Sequence, residues 1–142
     1  MKLSTRGRYG LKAMFQLALH YGEGPISLNQ IAEKQNLSES YLEQLFSTLR
    51  KEGLLNSVRG AQGGYMLSES PHKITVGCIL RALEGSMAPS DCVIDDNNEC
   101  NKEDGCATRL VWVRIKDSID EVIDSITLQD MVDDEIKLNN KQ

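Results

Sequence analysis

The chain has 142 residues, enough for one compact domain, or for a small domain with an arm that a partner must cover. Its formal net charge of −5, taken whole, argues against a nucleic-acid binder, because phosphate neutralisation by Lys and Arg supplies most non-specific affinity. The average conceals an asymmetry: residues 1–67 hold eight basic against five acidic side chains, and residues 68–142 hold eight against sixteen, the pattern of a chain in which one part faces a polyanion and the other stays off it. Neither a leader pattern nor an apolar run near the ~18 residues of a membrane span is present, so a cytoplasmic protein with no membrane partner is expected.

In chain order, Ser4 or Thr5 is placed to cap a helix over about 5–21, with Leu11, Met14, Phe15 and Ala18 recurring at helical spacing before Gly22 and Gly24-Pro25. Ser27-Leu28-Asn29-Gln30 reads as a capping box opening a short helix that carries Leu28, Ile31 and Ala32 inward and stops near Gln35-Asn36. Ser38 caps a third helix with Leu42, Leu45, Phe46 and Leu49 on its buried stripe, ending at Gly53. Helix, tight turn, helix is a DNA-reading unit. Two short strands, Leu54–Val58 and Tyr65–Leu67, flank the glycine-rich turn 59–64 and form a hairpin wing.

After a connector at Pro71-His72-Lys73, Thr75 caps a fourth helix with Val76, Ile79, Leu80 and Leu83 on one side, closed by Gly85. Periodicity is then lost over 86–105, a polar acidic loop too long to be idle in so small a protein. A long helix from about Ala107 to Ile126 carries Val111, Ile115, Ile119, Val122, Ile123 and Ile126 at near-heptad spacing. Such a seam, trailing a domain with its own core, is expected to be buried against a second copy of the chain. Leu128, Met131 and Val132 are expected to form a turn on that partner, and 137–142 a frayed tail. The expected fold is mainly α: a winged helix-turn-helix over 1–70, a connecting helix over 71–90, a cysteine-containing loop over 91–106, and a dimerisation helix with a C-terminal segment over 107–135.

Opposite its buried stripe the third helix offers Ser40, Glu43, Gln44 and Ser47. Gln pairs with adenine and Glu accepts from cytosine, so this face is fit to read bases, although a merely solvated face has the same composition. Arg59 at the wing tip is placed to enter a minor groove, with Lys2, Arg6, Arg8, Lys12, Arg50 and Lys51 as a phosphate-facing rim. Of the four cysteines, Cys92, Cys100 and Cys106 fall within fifteen residues of the acidic loop, and Cys78 sits in an apolar helix as an expected core residue. In a reducing compartment, clustered thiolates point to metal binding or redox chemistry, and best to an iron–sulfur cluster. Free thiols on the loop are the alternative, and a zinc site is weaker because close CxxC pairs are absent. An enzyme has little support: there is no phosphate-binding glycine loop, no HExxH and no plausible Ser/His/Asp set.

Three segments carry a resemblance: Met1-Lys2-Leu3-Ser4-Thr5-Arg6-Gly7-Arg8-Tyr9-Gly10, Leu37-Ser38-Glu39-Ser40-Tyr41-Leu42-Glu43-Gln44-Leu45 and Val58-Arg59-Gly60-Ala61-Gln62-Gly63-Gly64-Tyr65, with Leu83-Glu84-Gly85 further on. They are similar to the bacterial winged-helix repressor family that contains the iron–sulfur regulator IscR, the cysteine-metabolism regulator CymR and the nitric-oxide sensor NsrR. The resemblance implies a DNA-binding homodimer on a palindromic operator. It implies that Ser38, Ser40, Glu43 and Gln44 read the major groove, Arg59 and Gly60 the minor groove, and Tyr9 a phosphate. Three loop cysteines mark the IscR and NsrR branches, and 2Fe–2S is the nuclearity the IscR branch implies; CymR-like members generally lack them, and imply instead control by a partner enzyme of cysteine synthesis or by thiol oxidation. IscR-like proteins carry a histidine three residues after the third cysteine, where this chain has Arg109, and NsrR-like proteins an acidic ligand where it has Arg8. Neither can ligate, which leaves Cys78, Glu43, Glu99, Glu103, His20, His72 or an exogenous thiol as the fourth ligand, with His20 also placed to act as a helix cap.

Overall fold

The computed structural model describes residues 3–89 and 107–141. Among them lie six α-helices, a short 3-10 turn and one antiparallel sheet of two strands. The helices are α1 (Thr5–Leu19), α2 (Leu28–Gln35), α3 (Glu39–Lys51), α4 (Val76–Glu84), α5 (Ala107–Ser125) and α6 (Leu128–Asn140). Strands β1 (Leu55–Val58) and β2 (Gly64–Leu67) pair as a hairpin, with Leu55 opposite Leu67 and Val58 opposite Gly64. This is the mainly helical winged helix-turn-helix that the patterning predicts.

Local chemistry sets most boundaries. Ser27 and Gln30 form the reciprocal capping box of α2, Ser38 accepts from the Tyr41 N–H, and Thr75 accepts from the Cys78 N–H. At the far end of α2, Asn36 adopts a left-handed backbone (φ 54°), which lets the Leu37 N–H return to the Ala32 carbonyl and turns the chain into α3. The core gathers Met14, Leu17, Ile31, Leu42, Leu45, Phe46 and Leu49 from the first three helices. Ile74, Ile79, Leu83 and Leu128 join the same cluster, so α4 and the start of α6 are built into the domain that carries the wing.

Three expectations need correction here. The C-terminal segment is not a turn and tail but a 13-residue helix, opened by a Thr127–Asp130 capping box. It docks on its own chain: Leu128 is fully buried, and Met131 and Val132 pack against the main core. The seam of α5 is divided, because Ile119, Ile123 and Ile126 lie against Val76, Leu80 and Met87 of the same chain, while Leu110, Val111, Ile115 and Val122 stay exposed. Finally, Cys78 is exposed, since it stands two residues from Val76 and turns away from the 76, 79, 80, 83 stripe that α4 buries.

Ion pairs fix α4 to α5. Arg81 donates to Asp124 at 2.7 and 2.9 Å and to Asp120 at 2.9 Å, and Lys116 reaches the other Asp120 oxygen at 3.0 Å. The hydrogen bonds that Arg81 donates to Asp124 and Asp120 push its guanidinium above its ordinary value. Burial works to raise the Asp120 carboxyl, but the bonds from Arg81 and Lys116 outweigh it and hold that carboxyl below its usual range.

The docking of α6 gives a test. Leu128→Ala is expected to destabilise the fold by about 2–5 kcal/mol, the cost of emptying a closed apolar site. Urea unfolding monitored by circular dichroism measures it; a change near zero would mean that α6 does not contribute to this core.

Candidate nucleic-acid interface

Burial of Leu42, Leu45, Phe46 and Leu49 fixes the rotation of α3 about its axis, and that rotation turns Ser40, Glu43 and Gln44 to solvent, with Ser47 half-buried beside them. Ser38 is exposed too, but its hydroxyl oxygen already accepts the Tyr41 N–H at 3.1 Å, so it serves as the helix cap and keeps one donor free. Asn29 of α2 donates to the Glu39 carboxylate at 2.6 Å and closes the turn between the two helices.

The wing is braced against that helix. The rings of Phe46 and Tyr65 meet at 4.8 Å, and Arg50 donates to the Ser57 hydroxyl at 3.1 Å. From behind, Ile26 and Tyr65 exchange backbone hydrogen bonds of 2.8 and 3.0 Å, a contact so close that a side chain at position 64 would strike the Ile26 carbonyl. At the tip the Gly63 N–H closes on the Gly60 carbonyl at 3.0 Å, and Gly60 has φ 109°, a conformation that favours glycine. Arg59 stands exposed beside it.

The start of α1 completes the surface. The Tyr41 hydroxyl donates to Thr5 at 3.3 Å, and the Tyr9 ring meets Tyr41 edge-on at 6.4 Å with the Lys12 ammonium 5.7 Å from its centroid. Arg8 and Lys12 are exposed, whereas Arg6 is half-buried with its Nε on the Leu83 carbonyl at 3.3 Å. Arg6 is therefore partly a structural residue, and Arg50 is at once a cation and a strut of the wing. The structure thus brings together Tyr9, Ser38, Ser40, Glu43, Gln44, Arg50, Arg59 and Gly60, on α1, α3 and a wing that contact one another. Sequence reasoning missed Asn29, Tyr41 and Tyr65, which hold these pieces in place; Tyr41 and Tyr65 stand inside the motifs but read there as generic aromatics.

Lys2, Cys92, Cys100 and Cys106 lie outside the described residues, as do Glu99 and Glu103. Among the described residues no three His, Cys, Asp or Glu side chains converge as a metal site. His20 is the C-cap of α1, its Nδ1 3.1 Å from the Glu23 carboxylate. Arg109, in the first turn of α5, buries its Nε with no hydrogen-bond partner among the described residues.

A helix-turn-helix with a braced wing, an exposed polar helix face and surrounding cations defines a winged-helix transcription regulator. Residues 3–134 match the Rrf2 family, described as iron-dependent transcriptional regulators, and the chain belongs to that family. It is 50% identical over 131 residues to the HTH-type transcriptional regulator CymR of Bacillus subtilis, covering 92% of this chain and 89% of that protein. It is 42% identical over 139 residues to the HTH-type transcriptional regulator IscR of Pectobacterium atrosepticum, covering 98% and 84%. Among solved structures, the global cysteine regulator CymR of B. subtilis superposes with a TM-score of 0.78 at 48% identity, covering 94% of this chain and 97% of that one. The IscR of T. potens gives 0.77 at 52%, covering 95% and 88%. These relatives are regulators and not enzymes, and no helix among the described residues is long and apolar enough to cross a membrane.

Arg59 at the wing tip and Arg50 on α3, which braces the wing, separate by experiment. Arg59→Ala is expected to weaken binding to a selected duplex by about 1–3 kcal/mol and to relax preference at one position. Arg50→Ala is expected to act evenly across sequences and to lower the salt slope by about one. Anisotropy titrations on matched and singly altered duplexes distinguish them, and equal, sequence-independent losses would make Arg59 one more phosphate contact.

Proposed function

We propose that this regulator works in the bacterial cytoplasm as a homodimeric repressor on a palindromic duplex operator, and that its occupancy follows iron–sulfur status through a cluster held by Cys92, Cys100 and Cys106. The observation that carries the reading is the donor set: three cysteines within fifteen residues, in a family described as iron-dependent. Soft thiolates are the preferred ligands of such clusters. When bound, the cluster supplies a reporter that is assembled or lost with iron and redox supply; 2Fe–2S is the nuclearity carried from the IscR branch. Arg109 cannot complete the ligand set, so the fourth ligand comes from Cys78, Glu43, Glu99, Glu103, His20, His72 or an exogenous thiol.

In this reading Ser38, Ser40, Glu43 and Gln44 face the major groove, Arg59 and Gly60 the minor groove, and Lys2, Arg6, Tyr9 and Arg50 the phosphates. Glu43 is the residue through which the sensor speaks. A carboxylate on the base-facing side is repelled by phosphate unless it meets a donor such as cytosine N4. A change in its packing on cluster binding alters which sequences the helix accepts.

A second reading rests on the 50% identity to CymR: control by a partner enzyme of cysteine synthesis or by thiol oxidation, without a cluster. Anaerobic purification separates the two. Brown protein with charge-transfer bands, colourless as the Cys92→Ala, Cys100→Ala, Cys106→Ala variant, supports the cluster. Colourless wild-type protein after anaerobic reconstitution with iron and sulfide, copurifying with an enzyme, supports the second reading. Selection from a random duplex pool then tests Glu43: holo and apo protein are expected to choose different motifs, with Glu43→Ala recovering binding in the apo background, and identical motifs from all three would sink this route.

The dimer rests on the part of α5 that its own chain leaves uncovered, where Val122 is 56% and Val111 48% exposed. Val122→Glu is expected to place an unpaired charge in that seam and weaken association by on the order of a few kcal/mol while the fold survives. Ile119→Glu, which strikes the contact with α4, is expected to lower the melting temperature as well. Light scattering and thermal melts read both, and a wild-type monomer at micromolar concentration would refute the architecture.

A further inference from the structure

The first turn of a helix leaves four N–H groups without intrahelical partners, and α1 satisfies two of its donors from a distance. Ser4 is the N-cap residue, but its side chain makes no capping bond to the helix. Instead one carboxylate oxygen of Glu84, at the last position of α4, accepts the Ser4 N–H at 2.9 Å, the Gly7 N–H at 3.0 Å and the Ser4 hydroxyl. A carboxylate is favoured at a helix N-terminus by the aligned peptide dipoles. Neighbouring groups tighten the joint: the Leu83 carbonyl accepts from Arg6, and the Leu83 side chain fills the space where Gly10 has no Cβ. Gly7 likewise has no room for a Cβ, because the Glu84 carboxylate occupies it. One turn earlier on α4, Arg81 is clamped to Asp120 and Asp124 of α5.

We propose that Glu84 is a positioning residue for DNA binding: it holds the first turn of α1 in the orientation that brings Arg8 and Tyr9 to the phosphate backbone, and α4 ties that turn to α5. The proposal rests on the DNA-binding reading above. Glu84 touches no DNA in this scheme and acts through the residues it orients. Its effect has a diagnostic sign. Electrostatics alone makes an anion beside a phosphate-facing turn unfavourable, so its removal would tighten binding; a positioning role makes removal weaken it.

The test uses the full chain and a fluorescent duplex that the wild-type protein has selected from a randomised pool, titrated at several salt concentrations. Glu84→Ala is expected to bind roughly three- to tenfold more weakly and to lose about one unit of salt slope, the signature of a phosphate contact no longer made. Glu84→Gln keeps an accepting oxygen without the charge, and is expected to restore most of the affinity and the slope. Gly7→Ala keeps the charge but wedges a methyl group against the carboxylate, and is expected to reproduce the loss. Circular dichroism melts accompany each variant. Equal or tighter binding by Glu84→Ala overturns the proposal, as does weaker binding with the wild-type slope, which marks a structural role alone, or unaltered binding by Gly7→Ala. Wild-type protein that selects no duplex overturns the DNA-binding reading itself, and is told apart from these outcomes because it fails before any variant is compared.

Discussion

The close approach of α4 to α1 is the constraint on which the architecture depends. α4 has nine residues, too short to persist alone in water, and it is stabilised by what it touches on each side. Toward α1 it inserts Leu83 and Glu84 into a face where Gly7 and Gly10 offer no side chain. Toward α5 it presents Val76 and Leu80 to Ile119 and Ile123, and Arg81 to two aspartates. Partly exposed ion pairs contribute little singly, but a guanidinium shared between two carboxylates, one of them also bound by Lys116, is a geometry that sets orientation. The helix-turn-helix, the wing and the C-terminal helices are thereby parts of one packed unit, because Ile79, Leu83 and Leu128 belong to the same core as Phe46.

What could be read in the sequence follows from how local each signal is. Ser27, Ser38 and Thr75 each cap a helix through a bond to a residue three positions on, and all three were legible. The stripe 42, 45, 46, 49 and the glycine-rich hairpin turn were legible for the same reason, and with them the residues that face away. The cap of α1 was not, because its acceptor stands 80 residues away from Ser4. The apolar residues of α6 were legible as a docking face, but its helical length, opened by the Thr127–Asp130 capping box, was not read, and which chain that face meets is a tertiary matter that local spacing does not carry. The exposure of Cys78 was hidden by composition: a helix whose mean character is apolar still has an outer face, and position 78 falls on it.

The division of the α5 seam bears on the proposed dimer. A heptad-like run offers one apolar stripe, and the sequence alone assigns all of it to a partner. The chain spends the C-terminal half of the stripe on α4, which fixes the direction in which α5 leaves the domain. The N-terminal half, with Leu110, Val111 and Ile115, together with Val122, is left exposed. Because one helix serves both contacts, a partner seated on the free half is rigidly related to α4, and through Glu84 to the first turn of α1. In the proposed dimer this short joint would set the spacing between the two reading heads, which is a geometric quantity.

Overall identity and sensor chemistry are separate questions in this family. The matches of 50% to CymR and 42% to IscR both span nearly the whole chain, and the two solved relatives superpose almost equally well. The residues that set the fold, namely the caps, the 42–49 stripe, Gly60 to Gly64 and the glycine face of α1, are demands of the scaffold and are indifferent to what is sensed. Function resides in a site placed on a fold, and here the candidate sensor amounts to three side chains and their spacing. Arg109, three residues beyond Cys106, supplies a fixed positive charge where a ligating histidine would not. Whole-chain identity supports the CymR-like and the IscR-like readings alike, so what is sensed is decided by the chemistry of these few side chains and not by the scaffold.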